Sequence, residues 1–275
     1  MGINIDLNIT ELSQKFYKDF WEPTVKNIWK ALWDITEIFP IITWNLMLLL
    51  KNKIFQKNLQ KYWSKIEDIK DEDRVEIPKE ISVPLLKKLT YYDNEKLSDM
   101  FLELLAKASD KNQITHVLPK YINIIENLCE DEAILLKYVY DRHINRIPLI
   151  NFHLWIKWNT DFYVFYEYFT ELNYLNLQQN KNIKIYIENL INLWIFKSFD
   201  STYIWWNNGD SIYWDLEKKL RNILYFNIDL ESFKWKLATE TWKNVDDFID
   251  KIDKQKLELT SLWKDFLNTV FNTKK

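Results

Sequence analysis

Residues Ile77 to Tyr140 read IPKEISVPLLKKLTYYDNEKLSDMFLELLAKASDKNQITHVLPKYINIIENLCEDEAILLKYVY and show the clearest helical periodicity in the chain. After Asp93, apolar residues recur at the three- and four-residue spacing of one helix face. They are Leu97, Met100, Phe101, Leu104, Leu105 and Ala108. The carboxylate of Asp93 can accept a hydrogen bond from an unpaired backbone N–H in the first turn of such a helix. The pattern therefore predicts a helix that Asp93 caps.

Two further helices are predicted in the same stretch. The first begins at Pro119, because the first helical position leaves its N–H unpaired and a proline has none to lose. The second follows a break near Cys129 and opens with the acidic run Glu130 to Glu132, which suits the positive end of a helix dipole. Its apolar face is predicted to carry Ile134, Leu135, Tyr138 and Val139. The stretch thus indicates a central helical core.

Two segments within and around this stretch resemble the core of the Abi-alpha family of abortive-infection proteins. They are RVEIPKEISVPLLKKLTYYDNEKLSDMFLELLAKASD and HVLPKYINIIENLCEDEAILLKY. The resemblance continues more weakly from Phe20 to Phe271. It implies a role in bacterial defence against phage, as a sensor, regulator or effector that acts by binding. A family resemblance does not name the molecular activity, because fold and context leave the chemistry of a site open.

Composition narrows the class of protein. The 275 residues suffice for a full hydrophobic core, and a formal net charge of −3 provides no global basic surface for nucleic acid. The single cysteine, Cys129, excludes an internal disulfide and suits a reducing cytosol. Its apolar neighbours predict a buried, inert thiol. We expect a cytoplasmic protein, with membrane association as the alternative, because the sequence shows neither a signal peptide nor an apolar run of transmembrane length.

Glycine and tryptophan occur in unusual numbers, with 2 glycines and 14 tryptophans, whereas average usage is about 7% glycine. Trp194 follows an amphipathic helix, and Trp205 and Trp206 lie in a turn sequence, which are places that favour glycine. Trp263 takes the glycine position of the Abi-alpha pattern Leu-Thr-x-x-Gly-x-x-Phe. UGA is read as tryptophan in some genetic codes and as glycine in others. We therefore expect many or all of the tryptophans to be mistranslated glycines; the alternative is a truly tryptophan-rich protein whose rings anchor a membrane or a ligand.

The predicted fold is mainly α, with a helical N-terminal and central region and a C-terminal winged-helix-like part that carries a small β-hairpin. We divide the chain into an N-terminal helical region and linker (1–73), a central helical core (74–140) and a winged-helix-like region (141–275). The first helix of the winged-helix-like region falls within 119–140. No internal repeat is visible. The first boundary is therefore placed near residue 73, where a charged segment gives way to one with helical periodicity, and the second near Asp141, where a predicted helix ends.

The C-terminal third mixes helical and strand patterns. Phe162, Phe165, Tyr166 and Phe169 have the spacing of one helix face, within an apolar segment from Phe152 to Leu177. We predict a β-hairpin wing from Ser198 to Tyr213 because that segment combines aromatic residues with turn residues. The remaining predicted elements are a helix from Asn182 to Leu193, a helix from Asn244 to Ile252, a strand from Lys256 to Thr260 and a helix from Ser261 to Phe271.

The helix from Asn182 to Leu193 occupies the position of a recognition helix in the winged-helix interpretation. Amide and amino side chains on and beside it can contact phosphates, base edges or a protein partner. They are Lys181, Lys184, Asn189, Asn192 and Lys197. The sequence therefore leaves two kinds of binding open, a DNA-binding regulator and a module for a protein partner.

Two further alternatives are weaker. Arg146 and His153, with six residues between them, loosely resemble the Arg-to-His spacing of HEPN ribonucleases, in which histidine acts as acid or base and arginine steadies phosphate charge. Pro148 interrupts the helix that such a motif needs, so structural histidines with satisfied hydrogen bonds are the better interpretation. The segment Trp21 to Asn52 could act as a membrane-perturbing effector. We expect no catalytic residue, metal site or cofactor and lean against an enzyme, because the sequence lacks a phosphate-binding loop, a zinc-ligand cluster and a nucleophile elbow.

Overall fold

The computed structural model describes residues 52–157, 162–199, 209–227 and 230–271. This part of the chain contains nine α-helices and a four-stranded antiparallel sheet. It divides into two compact units. The first unit comprises the described residues up to Ala133 together with those from Asp265, and the second comprises those from Ile134 to Lys264. The prediction of a mainly α protein is confirmed.

The regular elements of the first unit are helices. Four lie wholly within it: α1 (Lys53–Ile66), α2 (Lys79–Leu89), α3 (Glu95–Ala108) and α4 (Lys120–Glu126). It also contains the start of α5 (Glu130–Asp141) and the end of the last helix, Ser261–Val270. Leu85, Leu86, Phe101 and Leu104 are fully buried where these helices pack. The helical periodicity of the central stretch therefore identified the core of this unit.

A buried asparagine fixes the end of α2 against α1. Nδ2 of Asn58 donates to the carbonyl of Leu89 at 2.9 Å and to that of Tyr92 at 3.1 Å. These carbonyls lie at a helix end, where the helix itself provides no partners for them. Burying an amide side chain is favourable here because both of its donor hydrogens are satisfied.

The cap of α3 is Asn94, one residue later than the sequence predicted. Oδ1 of Asn94 accepts hydrogen bonds from the backbone N–H groups of Lys96 and Leu97, both at 3.1 Å. Asp93 instead lies 3.9 Å from Nζ of Lys57 on the surface. The helix begins at Glu95, so the residue in capping position is the asparagine rather than the aspartate before it.

The predicted starts of α4 and α5 are confirmed. Pro119 immediately precedes α4, and α5 begins with the three acidic residues from Glu130. The backbone N–H of Cys129 donates to Oε2 of Glu132 at 2.7 Å, which satisfies a donor at the helix start. The expectation of a buried Cys129 is wrong, because this capping position leaves the thiol exposed. Desolvation by the surrounding atoms raises the pKa of the thiol.

The second unit is built on the antiparallel sheet, whose strand order is β2-β1-β4-β3. The strands are β1 (Arg146–Ile156), β2 (Phe162–Phe169), β3 (Phe196–Phe199) and β4 (Phe248–Leu259). Its helices are α6 (Ile183–Asn192), α7 (Gly209–Asn227) and α8 (Leu230–Thr241), followed by the first residues of α9 (Ser261–Val270). β1 pairs with β4 along its whole length, from Arg146 opposite Glu258 to Ile156 opposite Phe248.

One face of the sheet forms the core of this unit. Alternate residues of β1 point to this face, since successive side chains of a strand point to opposite sides. They pack with buried residues of α7 and α8 in one cluster. The cluster contains Ile150, Phe152, Leu154, Ile156, Phe169, Tyr213, Leu216, Leu220, Leu224, Leu237, Ala238 and Phe248. The other face of β1 therefore presents the odd-numbered residues.

Two helix predictions in this unit are wrong. The aromatic segment after Phe152 forms the end of β1 and then β2, because aromatic side chains fit the pleated surface of a sheet and a bulge near Phe165 produces a helix-like spacing. The segment from Asn244 to Ile252 forms a short 3-10 turn and the first half of β4. The predicted strand at Lys256 is the second half of the same strand.

The winged-helix arrangement is not confirmed. The helix predicted from Asn182 is present as α6 and the helix predicted from Ser261 as α9. Between them, β3 pairs with β4 in the four-stranded sheet. Most of the predicted wing, residues 200–208, lies outside the described residues, and its last part, from Gly209, belongs to α7.

Candidate functional site

The surface of α6 carries the side chains predicted to contact nucleic acid or a partner. Ile183, Ile187 and Leu190 are buried, as an amphipathic helix on the sheet requires. On the opposite side lie Lys184, Ile185, Glu188 and Asn192, and Ile185 is 60% exposed. This outer face is therefore mixed: one cation, one anion, one apolar side chain and one amide.

Acidic neighbours offset the positive charge of this helix. Nζ of Lys184 forms an ion pair with Glu167 of β2 and lies 3.9 Å from Oε1 of Glu188. The hydrogen bond that Lys184 donates to the Glu167 carboxylate is the main cause that raises the pKa of Lys184 above its ordinary value. Lys184 stays charged, but the two carboxylates offset its charge and compete with a phosphate for its N–H groups. The compact basic face that DNA binding would favour is therefore weakened at the centre of α6.

The other predicted contact residues are spread around α6. Lys181 lies just before the helix and is exposed, whereas Asn189 is half-buried on the helix. Lys197 lies on β3, with Nζ 5.0 Å from the centre of the Phe199 ring. Nζ of Lys256 lies 4.8 Å from the same ring. Both lysines thus direct their amino groups to the Phe199 ring within the protein.

The structure does not bring Arg146 and His153 together. Both lie on β1, seven residues apart, which corresponds to roughly 23 Å at about 3.3 Å per residue. An odd separation also places them on opposite faces of the sheet. Nε of Arg146 lies 3.2 Å from Oε1 of Glu258. The arrangement therefore gives no support to the ribonuclease interpretation.

His153 instead lies at the centre of the sheet face opposite the core, which we call the His153 face. In the pairing of the three strands, Val164 of β2 and Lys251 of β4 flank His153, while Phe162 and Ile249 flank Trp155. Two polar residues of the next row complete the face: Asn151, whose Oδ1 accepts from the N–H of Tyr168 at 2.8 Å, and Asp253. The face thus combines residues of the consecutive strands β1 and β2 with residues of β4, which lies far along the chain.

Apolar side chains of this face are open to solvent. Phe162 and Val164 are each 47% exposed and Ile249 is 46% exposed. They surround His153, which is only 6% exposed. The ring of Phe162 meets that of His153 edge-on, with 5.1 Å between the ring centres. An exposed apolar cluster around a polar centre is a feature of interaction surfaces.

Near His153, the carboxylate of Asp253 lies close to two basic side chains. Nε2 of His153 lies 3.2 Å from Oδ2 of Asp253, and Nζ of Lys251 lies 3.5 Å from Oδ1 of the same carboxylate. Burial lowers the pKa of His153, Asp253 and Glu167 oppose that effect, and Lys251 adds to it. Burial thus favours the neutral form of the histidine, and the charges of Lys251 and Asp253 offset each other on this face.

The chemistry available at this face is limited to recognition and to proton exchange by one imidazole. Within the described ranges no group of three or more His, Cys, Asp or Glu side chains is arranged to hold a metal ion. A proton-transfer catalyst also needs a positioned reacting group. The neighbours of His153 on this face are apolar, ion-paired or, in the case of Asn151, hydrogen-bonded to the backbone. Binding is the function that such a surface supports best.

Sequence reasoning missed this face for a definite reason. It considered a functional role for His153 only as one end of a weak Arg-to-His alternative, and it placed Phe162 in a helix. The available signal was short: Leu257 and Leu259 alternate with polar residues and predict a strand, whereas Phe248 to Lys256 shows no regular alternation of apolar and polar residues. The sequence therefore indicates the end of β4 but not the part that carries Ile249, Lys251 and Asp253.

The membrane alternative rests on Trp21 to Asn52, which lies outside the described residues except for Asn52. None of the helices that the structure describes combines the length and the apolar character needed to span a bilayer.

Comparison with known proteins gives one family match. The family described as abortive infection alpha matches residues 54–270. No curated protein matches. A solved structure of an uncharacterized protein from the hydrocarbon-degrading marine bacterium Alcanivorax borkumensis SK2 is similar at 16% identity and a TM-score of 0.30, over 57% of this chain and 92% of that one. Because the family match covers most of the sequence, this chain belongs to the abortive infection alpha family.

Proposed function

We propose that this protein acts in phage defence by abortive infection and that it does so by binding a protein partner through the His153 face. The family supplies the biological context. The exposed apolar cluster of Phe162, Val164 and Ile249 is the observation that carries the proposal. Binding of this kind fits a sensor, a regulator or an effector.

The composition of the face favours a protein over other partners. Three apolar side chains, each nearly half exposed, lie beside one cation and one anion, Lys251 and Asp253. Aromatic and aliphatic side chains at the centre with a few charges around them are typical of protein–protein interfaces. A nucleic acid would require unpaired positive charge instead, and Lys251 is shared with Asp253. The DNA-binding alternative at α6 has the same weakness, since Lys184 is held by Glu167.

The test is a phage-plating experiment with surface variants. Bacteria that produce the protein are challenged with a panel of phages, and the plating efficiency is compared with that of cells without the gene. We expect the wild type to reduce plating of at least one phage and the double variant Val164→Lys/Ile249→Lys to lose that protection. Charged side chains placed in the centre of an apolar contact are not compensated there.

The matched control is Ile185→Lys on the exposed side of α6, because Ile185 is even more exposed than Val164 or Ile249. It should protect as the wild type does, and thermal melts should show that all variants are folded. If the double variant is folded and protects fully, the His153 face is not the binding surface. If the wild type protects against no phage of the panel, the proposed role in defence is contradicted.

A further inference from the structure

Three helices of the second unit end in the same way. After α5, α6 and α8, one residue adopts a left-handed conformation, and the N–H of the following residue bonds to a carbonyl five positions back. The left-handed residues are His143, Trp194 and Trp242, with φ of 54°, 60° and 57°. The bonds run from Ile144 to Val139 at 3.0 Å, from Ile195 to Leu190 at 2.9 Å and from Lys243 to Ala238 at 3.1 Å. These are Schellman ends, and their left-handed position is usually glycine.

Tryptophan is poorly suited to this position. A left-handed backbone brings Cβ close to the following carbonyl oxygen, a contact that glycine avoids because it has no Cβ. Asn, Asp and His are tolerated there more often than other residues, which accounts for His143. Trp194 and Trp242 belong to neither group.

No packing of the rings offsets this cost. Trp194 is 76% exposed and Trp242 is 95% exposed. The carbonyl of Trp194 accepts a hydrogen bond from Oγ1 of Thr260 at 3.0 Å, but that bond uses the backbone, which any residue provides. The fold thus uses the backbone conformation at these two positions and leaves most of the indole surface in water.

Composition and conformation agree. The chain has 2 glycines against 14 tryptophans, and within the described residues no glycine occupies a positive-φ position. The backbone therefore places residues 194 and 242 where glycine is expected, and the sequence places tryptophan there. Exchange of one residue type for the other at the level of the codon explains both facts at once.

We infer that residues 194 and 242 are glycine in the protein as its source organism makes it, because their codons are UGA and that organism reads UGA as glycine. The exposed indole rings at these helix ends are then no part of a ligand or membrane surface. This argument from backbone conformation does not extend to Trp155, which lies inside β1 and whose ring stacks on that of Phe162 with 5.2 Å between the ring centres. The proposed function is unaffected, since it rests on Phe162, Val164 and Ile249.

The test combines the gene with the protein from its source. The codons for residues 194 and 242 are sequenced, and the peptides that contain them are identified by mass spectrometry of protein isolated from the source organism. We expect UGA at both codons and glycine in both peptides. UGG at either codon, or tryptophan in either peptide, overturns the inference. Neither result depends on the phage-plating experiment, so the two proposals fail separately.

Discussion

His153 and Asp253 meet diagonally across the β1–β4 ladder, with Nε2 of the histidine 3.2 Å from Oδ2 of the aspartate. The histidine is buried beneath the ring of Phe162, whereas the side chain of Asp253 is 37% exposed. A buried imidazole is easier to keep neutral than charged. Because burial lowers the pKa of His153, the stability of the protein should fall as the pH falls through that pKa.

The pKa of His153 lies below the ordinary value of about 6.5 that the unfolded chain retains. As the pH falls, the unfolded state therefore takes up the proton first, and the free energy of unfolding decreases. The contribution of this group is complete above pH ~6.5 and is lost as the pH falls through the folded pKa. We predict a smaller decrease in stability on mild acidification for His153→Gln than for the wild type.

NMR titration of the imidazole resonances measures the pKa directly. Asp253→Asn should lower the pKa of His153 further, because Asp253 and Glu167 both favour the protonated form while Lys251 opposes it. Lys251→Gln should raise it. A wild-type pKa at or above the ordinary value would show that burial does not dominate at this position.

The cap of α3 gives a test within the helical core. We predict that Asn94→Ala lowers the free energy of unfolding by about 1 kcal/mol, because two backbone N–H groups lose the acceptor that the side chain provides. Asp93→Ala serves as the control and should change it by no more than ~0.5 kcal/mol, as expected for an exposed ion pair. Urea denaturation measures both. Equal effects would mean that the capping role is shared.

The left-handed helix ends give a prediction of opposite sign. Trp194→Gly and Trp242→Gly should each raise the free energy of unfolding, by roughly 1 kcal/mol, because the strain of a left-handed residue with a Cβ is removed. Trp214→Gly is the control: Trp214 is also exposed but lies inside α7, where glycine in place of tryptophan should cost roughly 0.5 kcal/mol. Thermal melts of the purified variants measure these changes in stability. If Trp194→Gly and Trp242→Gly are less stable than the wild type, the strain argument is contradicted.

The helical core could be predicted from the sequence because its signals are local. Residues Leu97 to Ala108 repeat at helical spacing, and the acidic run at Glu130 marks a helix start within a few residues of where it occurs. The cap was misplaced by one residue because Asp93 and Asn94 are both good capping residues. Only the backbone conformation distinguishes them.

The His153 face could not be predicted because its signals are not local. Phe162 and His153 lie on consecutive strands, but Lys251 joins them only when β4, far along the chain, pairs with β1. Such a pairing is not visible in any single window of sequence. The bulge in β2 near Phe165 shifted the aromatic residues toward helical spacing. Outside the His153 face, the local sequence was sufficient at Trp194, where it predicted the left-handed helix end that the structure shows.

Site-specific photo-cross-linking during phage infection tests the central claim most directly. A photoreactive phenylalanine derivative replaces Ile249 on the His153 face or, as a control, Ile185 on α6. We predict that position 249 yields a discrete protein adduct that disappears when Val164→Lys is added, and that position 185 does not yield it. An adduct of equal strength from both positions, or one that persists with Val164→Lys, would contradict binding through the His153 face.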